Sequence, residues 1–319
     1  MSDLTVKETA ALLRQMDDVL ILTHVRPDGD TVGCASALCL ALRALGKRAY
    51  LLPNPGQTRT TAPYFAPCEA PEGFAPKYVV STDIAALGLL PDNAQPYRDR
   101  IDLAIDHHPS FERFAAANIV RPEAAACGEL IYDILCQLGP VTAETALPLY
   151  VAVSTDTGCF QYSNTTPSTH RVAAALMETG IDFRAVNKIF FRTKSRKRMA
   201  LEGDMLANME FYDEGRVAVL KVPISLMERV GADESDAEDL SALGGQIEGV
   251  DCAVTMRELR PDVWKFSVRT GERINACSVC ARLGGGGHAA AAGATVSGTL
   301  EEARAAVLDA IRAVQETGG

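Results

Sequence analysis

The sequence contains no uncharged apolar run of the roughly 18–20 residues that a membrane span requires. Its opening stretch, MSDLTVKETA, carries Asp3 and Glu8 where a secretory signal would be basic. Both absences lead us to expect a cytoplasmic protein with no membrane partner. Positive charge is also scarce: 31 Lys and Arg against 41 Asp and Glu leave a formal charge of −10. Duplex nucleic acid is bound by clustered Lys and Arg that displace counterions, so a large duplex footprint is not expected. The nine cysteines are an odd number, and only Cys277 and Cys280 stand at CxxC spacing. No second such pair completes a four-ligand zinc site, and reduced thiols are expected. The single tryptophan, Trp264, lies in an apolar strand pattern and reads as core. No internal repeat is visible. With 47% hydrophobic and 23% charged residues the composition is that of a globular protein, which excludes fibrous and disordered classes. A chain of 319 residues suggests two domains, at about 150 residues each.

What is present has a clear order. In the first half short apolar runs alternate with helix-period segments, the pattern of an α/β fold with a mostly parallel sheet flanked by helices. Strands are expected at 19–23 (VLILT), 48–52 (RAYLL), 78–81 (YVVS), 103–105 (LAI) and 117–120 (ANIV). Helices are expected at 31–45 and 128–138, stopping at Gly46 and Gly139, and at 168–179. A further apolar segment, 147–153, leads into Ser154, Thr155 and Asp156. A helical connector follows near 191–215, with Arg192, Lys194, Arg196, Lys197 and Arg198 at its start. That cluster reads either as a solvated helical face or as a contact for substrate phosphates. Beyond it, strands at 216–222, 251–256 and 263–269 and a closing helix at 300–314 describe a smaller mixed α/β domain. The expected division is 1–190, 191–215 and 216–319.

Several apolar runs end in residues able to bind metal. In open parallel sheets ligands sit beyond the carboxyl ends of the strands, where His24, Asp83, Asp106 and His107 fall. Residues 24–30 (HVRPDGD) place one imidazole and two carboxylates in a tight turn between a strand and a helix. Asp28 and Asp30 taken alone could be a turn and a helix cap. Asp83, the Asp106-His107-His108 run and Asp156 change the balance, because carboxylates buried together without cations are strongly unfavourable. Oxygen and imidazole donors without thiolate suit Mn or Mg better than structural zinc. In the second half, Gly284 to Gly287 followed by His288 is either a loose turn or a run of unshielded amides for a phosphate. Arg269, at a strand end, is either a solvated charge or a clamp for a terminal phosphate. His170 reads as structural, and Cys277 and Cys280 as packing residues.

These segments resemble the DHH phosphoesterase superfamily, and their order resembles its NrnA-like oligoribonuclease and phosphoadenosine phosphate phosphatase branch. HVRPDGDTVG looks like the first motif, STD with Asp83 the second, IDHH the third, and STDTGCFQYSNTT the fourth. SVRT at 267–270 and GGGGHAAAAG at 284–293 look like the DHH-associated C-terminal domain. The resemblance implies two divalent ions, Mn(2+) first and Mg(2+) second. One would rest on His24, Asp28 and Asp83, the other on Asp30, Asp83, His107 and Asp156, with Asp83 shared. It implies catalytic roles for His108, which would contact the scissile phosphate or protonate the departing oxygen, and for Asp106, which would orient the metal ligands by hydrogen bonds without binding metal itself. Arg269, Gly285, Gly286, Gly287 and His288 would bind substrate. Cys34 departs from the pattern, standing where the family usually has Ser.

The expected activity is therefore hydrolysis of short single-stranded oligonucleotides to mononucleotides, and of a small phosphonucleotide, 3'-phosphoadenosine 5'-phosphate, to AMP. Hydrolysis of cyclic or linear dinucleotides, or of pyrophosphate or polyphosphate, is the enzymatic alternative. A non-catalytic nucleotide sensor is the third, disfavoured because each implied ligand position holds Asp or His. Monomer and homodimer are both left open.

Overall fold

The computed structural model describes residues 2–237, 240–271 and 273–316. They form two compact units, Met1–Thr193 and Lys194–Gly319. In chain order the first contains β1 (Ser2–Asp3), α1 (Val6–Gln15), β2 (Val19–Leu22), α2 (Gly29–Ala44), β3 (Ala49–Leu51), α3 (Ala62–Phe65), β4 (Tyr78–Thr82), β5 (Leu103–Asp106), β6 (Ala117–Val120), α4 (Cys127–Leu138), α5 (Ala143–Asp156), α6 (Pro167–Glu178) and α7 (Phe183–Asn187). The sheet order is β1-β6-β5-β4-β2-β3, and every pairing is parallel. The chain leaves β2 for β3 on one side and returns to β4 on the other, so the order reverses between β2 and β4. That is the switch point where open α/β sheets bind ligands.

The apolar runs are continuous because both faces of the sheet are covered. Val19 and Ile21 pack with α1, α2, α4 and α5, whereas Leu20 and Leu22 pack on the opposite face with Ile84, Leu90 and Phe111. Helix α2 is buried on almost every side, as expected of a helix apolar all round. It lies close against α5 because position 33 has no side chain: a Cβ there would meet the Pro148 carbonyl oxygen at 2.3 Å.

The expected strands of this unit are all present, and the two-residue β1, too short to carry a pattern, joins them. Residues 147–153 lie inside α5, whose Pro148 interrupts a helical reading of the sequence. Asp156, expected at the end of this apolar segment, is the last residue of that helix.

The second unit contains α8 (Arg196–Ala207), β7 (Glu210–Tyr212), β8 (Val217–Val222), α9 (Ile224–Val230), β9 (Cys252–Arg260), β10 (Val263–Thr270), α10 (Ala276–Ala281), β11 (Gly286–Gly287), β12 (Ala291–Ser297) and α11 (Leu300–Glu316). Its sheet runs β11-β12-β10-β9-β8-β7, with β8 and β9 parallel and the other pairs antiparallel. One face packs on α10 and α11 with Trp264 buried in it, and the other on α8 and α9. Within the span 191–215, α8 buries Leu201 and Met205 against Ala218 and Leu220 of this unit. Among the described residues no helix is long and apolar enough to cross a membrane.

Candidate metal centre

His24 follows β2 after one residue, Thr23, and its loop is held from two sides. Asn54 Nδ2 donates to the His24 carbonyl at 2.8 Å and to Thr23 Oγ1 at 2.9 Å, and Val25 N donates to the Leu89 carbonyl at 2.8 Å. Asp28 then caps α2: its Oδ1 accepts from the amides of Asp30 at 3.1 Å and Thr31 at 3.2 Å. Its Oδ2 remains, 3.5 Å from His24 Nε2. One oxygen of the carboxylate thus caps the helix, and the other is left to face the imidazole.

Asp83, just past β4, adopts φ +58°, a left-handed conformation uncommon for a residue with a Cβ. Its amide donates to the Ile105 carbonyl at 2.9 Å, which fastens the turn to β5. Asp83 Oδ2 lies 4.0 Å from His24 Nε2. Its Oδ1 is buried without a hydrogen-bond partner, 3.5 Å from His107 Nε2 and 3.6 Å from His108 Nδ1. The His107 ring is aimed by its other nitrogen, since Nδ1 is 3.1 Å from the Ala124 carbonyl. A carbonyl only accepts, so Nδ1 carries the proton and Nε2 presents its lone pair inward. That Nε2 is 3.7 Å from Asp30 Oδ2 and 3.5 Å from Asp156 Oδ2.

Asp30 is buried and anchored: the Cys127 and Gly128 amides at the start of α4 donate to its two oxygens at 2.7 and 3.0 Å. Cys34, in place of the family's usual Ser, donates its thiol to Asp30 Oδ1 at 3.1 Å, so the missing hydroxyl has a substitute. Asp156 sits at the C-terminus of α5, where the helix dipole already places partial negative charge. Asp106 accepts at Oδ1 from the His108 amide at 2.6 Å and lies 2.8 Å from His108 Nδ1.

Burial pushes the carboxyls of Asp30 and Asp83 well above the usual carboxylate range, and neighbouring acids add to it: Asp156 acts on Asp30, and Asp30 on Asp83. Burial also raises Asp156. The His108 imidazole is raised by its hydrogen bond to Asp106. Burial lifts the Cys34 thiol well above its normal value and Cys127 to about 11.

The donors fall into three overlapping groups whose ligand atoms lie within 4.8 Å of one another: His24, Asp28 and Asp83; Asp30, His107 and Asp156; and Asp83, His107 and His108. An orphaned buried carboxylate oxygen, acids crowded without cations and a mixed imidazole and carboxylate set fit divalent ions of the Mn or Mg type. The groups open onto a pocket of about 290 Å³ lined by His24, Val25, Arg26, Asp28, Asp83, Leu89, His107, His108 and Asp156.

Sequence reasoning missed the residues that hold these ligands. Asn54 is one. Asn164 is another: its Nδ2 donates to the carbonyls of Ala125 at 2.9 Å and Asp156 at 3.1 Å. Thr31, donating to the Thr82 carbonyl at 2.9 Å, ties α2 to the end of β4. Asn164 and Thr31 had a signal, their places within the fourth and the first motif; Asn54 had none. His170 stacks on Phe160, with ring centroids 5.2 Å apart, in keeping with a structural role.

In the second unit, Arg269 pairs in register with Ala291, and the hairpin from β11 to β12 carries His288 at its turn, so Arg269 and the glycine-histidine run share one end of the sheet. The run is not a bare cradle of amides. Gly284 and Gly285 donate to the carbonyls of Ala281 and Cys280 at 3.2 and 2.8 Å, and His288 to Ala291 at 2.8 Å. Glycine is required at 285 by packing, since a Cβ would meet the Gly293 oxygen at 2.1 Å. The basic cluster is not simply a solvated face either. Lys194 and Arg198 each donate to the buried Glu202 at 2.6 Å.

Residues 18–154 match the DHH family, N-terminal domain, and residues 215–317 the DHHA1 domain. The chain is 35% identical over 307 residues to the bifunctional oligoribonuclease and PAP phosphatase NrnA of Thermus thermophilus, covering 92% of this chain and 89% of that protein. It is 24% identical over 286 residues to the Bacillus subtilis protein of the same name, covering 88% and 90%. Its fold is that of an exopolyphosphatase-related protein from Bacteroides fragilis, with TM-score 0.87, 23% identity and 98% and 96% coverage. An exonuclease RecJ bound to manganese is a more distant structural neighbour, with TM-score 0.51, 14% identity and 98% and 94% coverage. On the strength of the NrnA likeness across nearly its whole length, the chain belongs to the DHH phosphoesterase family.

Proposed function

We propose that this protein is a manganese-dependent phosphoesterase that hydrolyses short oligonucleotides to mononucleotides and 3'-phosphoadenosine 5'-phosphate to AMP. The observation that carries the reading is Asp83, a strained, buried carboxylate with an unpartnered oxygen, placed where two groups of metal donors meet. The NrnA relatives support the choice of substrates by their names.

In this reading His24, Asp28 and Asp83 hold one divalent ion, and Asp30, Asp83, His107 and Asp156 hold the other. Bound there, the ions supply the positive charge that lowers the pKa of water and neutralises phosphoryl oxygens. Mixed imidazole and carboxylate donors favour Mn over Mg. The chain's own groups do the rest. Asp106 holds His108 Nδ1, leaving Nε2 to contact the scissile phosphate or to give a proton to the departing oxygen. His107 is locked in one tautomer by the Ala124 carbonyl and keeps its lone pair on the centre. Arg269, Gly285, Gly286, Gly287 and His288 serve as the substrate-binding group of the DHHA1 domain.

The test is release of mononucleotide from a di- and a pentanucleotide, and of phosphate from 3'-phosphoadenosine 5'-phosphate and from pyrophosphate. Each is run with manganese, with magnesium and with chelator. Metal-dependent mononucleotide release is expected. Turnover of pyrophosphate alone, or no difference between wild type and Asp83→Ala, would overturn the reading.

A further inference from the structure

The pocket over the metal donors is lined by three carboxylates, three imidazoles and one guanidinium, that of Arg26. Arg26 follows His24 by two residues and is exposed. Among the described residues no carboxylate pairs with it: the acids of the centre face histidines instead. A guanidinium beside so many acids that neutralises none of them is free to meet an incoming anion.

Charge balance gives that freedom a use, on the two-ion phosphoesterase reading above. Two divalent ions carry four positive charges, and Asp28, Asp30, Asp83 and Asp156 carry four negative ones. Asp106, a fifth carboxylate, is set against the His108 imidazole to which it is hydrogen-bonded. The centre as a whole is then close to neutral toward a substrate. An internal phosphodiester brings one negative charge, whereas a terminal phosphomonoester near pH 7 brings about two. Besides the His108 imidazole, already given to the scissile phosphate or the departing oxygen, Arg26 is the cationic side chain this pocket offers to the additional charge. Val25 and Leu89 line the same pocket as Arg26.

We propose that Arg26 is a specificity-determining residue that pairs bidentately with the non-bridging oxygens of a terminal phosphomonoester, and so sets the ratio of monoester to diester hydrolysis. The planar fork suits two oxygens of one phosphoryl group, which a lysine ammonium meets only as a point charge.

The test compares the full-length wild type with Arg26→Ala and Arg26→Lys, all loaded with manganese. The substrates are 3'-phosphoadenosine 5'-phosphate and the dinucleoside monophosphate ApA, whose one phosphate is a diester. A calorimetric titration with inorganic phosphate is run alongside. For Arg26→Ala, kcat/KM for the monoester should fall about 10- to 100-fold, the usual worth of a hydrogen-bonded charge pair, while ApA turnover changes by about threefold or less. Phosphate affinity should fall about tenfold or more, with Arg26→Lys intermediate and manganese affinity unchanged. Equal losses on both substrates, unchanged phosphate affinity or weakened manganese binding would each overturn the inference while leaving the phosphoesterase reading intact. Should the wild type cleave neither substrate, that reading falls, and the inference, which rests on it, falls with it.

Discussion

At Asp83 the backbone takes φ +58° and the carboxylate is buried among other acids, so strain and charge repulsion are concentrated in one residue. Both features serve to aim an unpartnered oxygen into the donor cluster. Asp83→Ala should lower kcat by more than about 100-fold even at saturating manganese, since loss of mere outer-shell partners costs up to that much. Asp83→Gly should be as inactive, yet in chelator it should be more stable than Asp83→Ala by about 1 kcal/mol, because glycine accepts positive φ without penalty. Thermal melts of the two variants with chelator decide this, and equal midpoints would mean that the turn is unstrained.

Between elements, the centre depends on how closely α2 approaches α5, since the first carries Asp28 and Asp30 at its start and the second carries Asp156 at its end. Gly33→Ala touches no ligand but drives a methyl group into the Pro148 carbonyl. It should cost about 1–3 kcal/mol of stability and also weaken manganese binding in a calorimetric titration. A stability loss with unchanged metal affinity would show that the helix spacing is irrelevant to the site. Helix α8 gives a pH prediction. Burial alone would raise the Glu202 carboxyl, but hydrogen bonds from Lys194 and Arg198 reverse this and hold it below its ordinary value. A lowered folded-state pKa contributes stability above the unfolded value, and that contribution disappears as pH falls through the folded one. Acidification below about pH 4 should therefore destabilise the second unit of the wild type more than that of Glu202→Gln, whose own penalty near pH 7 should be about 2 kcal/mol. Chemical denaturation at the two pH values reads both effects.

The whole molecule divides into two compact units, each with its own apolar clusters, and the metal donors belong to the first. A ligand that binds only the folded state stabilises it by mass action, about 2.7 kcal/mol at one hundred times its dissociation constant. Scanning calorimetry should accordingly resolve two transitions, of which chelator lowers one and leaves the other in place. Chelation that moves both by the same amount would mean that the units unfold as one.

Much of the site could be read in the linear chain because parallel strands, buried on both faces, are unbroken apolar runs, and the polar residue that ends each run marks the sheet edge. His24, Asp83 and His107 were legible in that way, and the glycine and histidine spacing of the motifs supplied the family. Other features were hidden by long sequence separation or weak local pattern. Asp30 meets the amides of Cys127 and Gly128, and Asn164 meets the Ala125 carbonyl, through hydrogen bonds between segments far apart in the chain. Strand β12 is rich in alanine and glycine and gains its conformation from pairing with β10, not from propensity. Helix α5 contains a proline that local reasoning treats as a stop. The order of apolar runs and polar ends by itself determined the parallel sheet and the kinds of ligand it presents. Which oxygen caps a helix, which one faces the other donors, and how near the acids stand to one another was decided only by the packing of α2, α4 and α5, because those contacts join segments with no pattern in common.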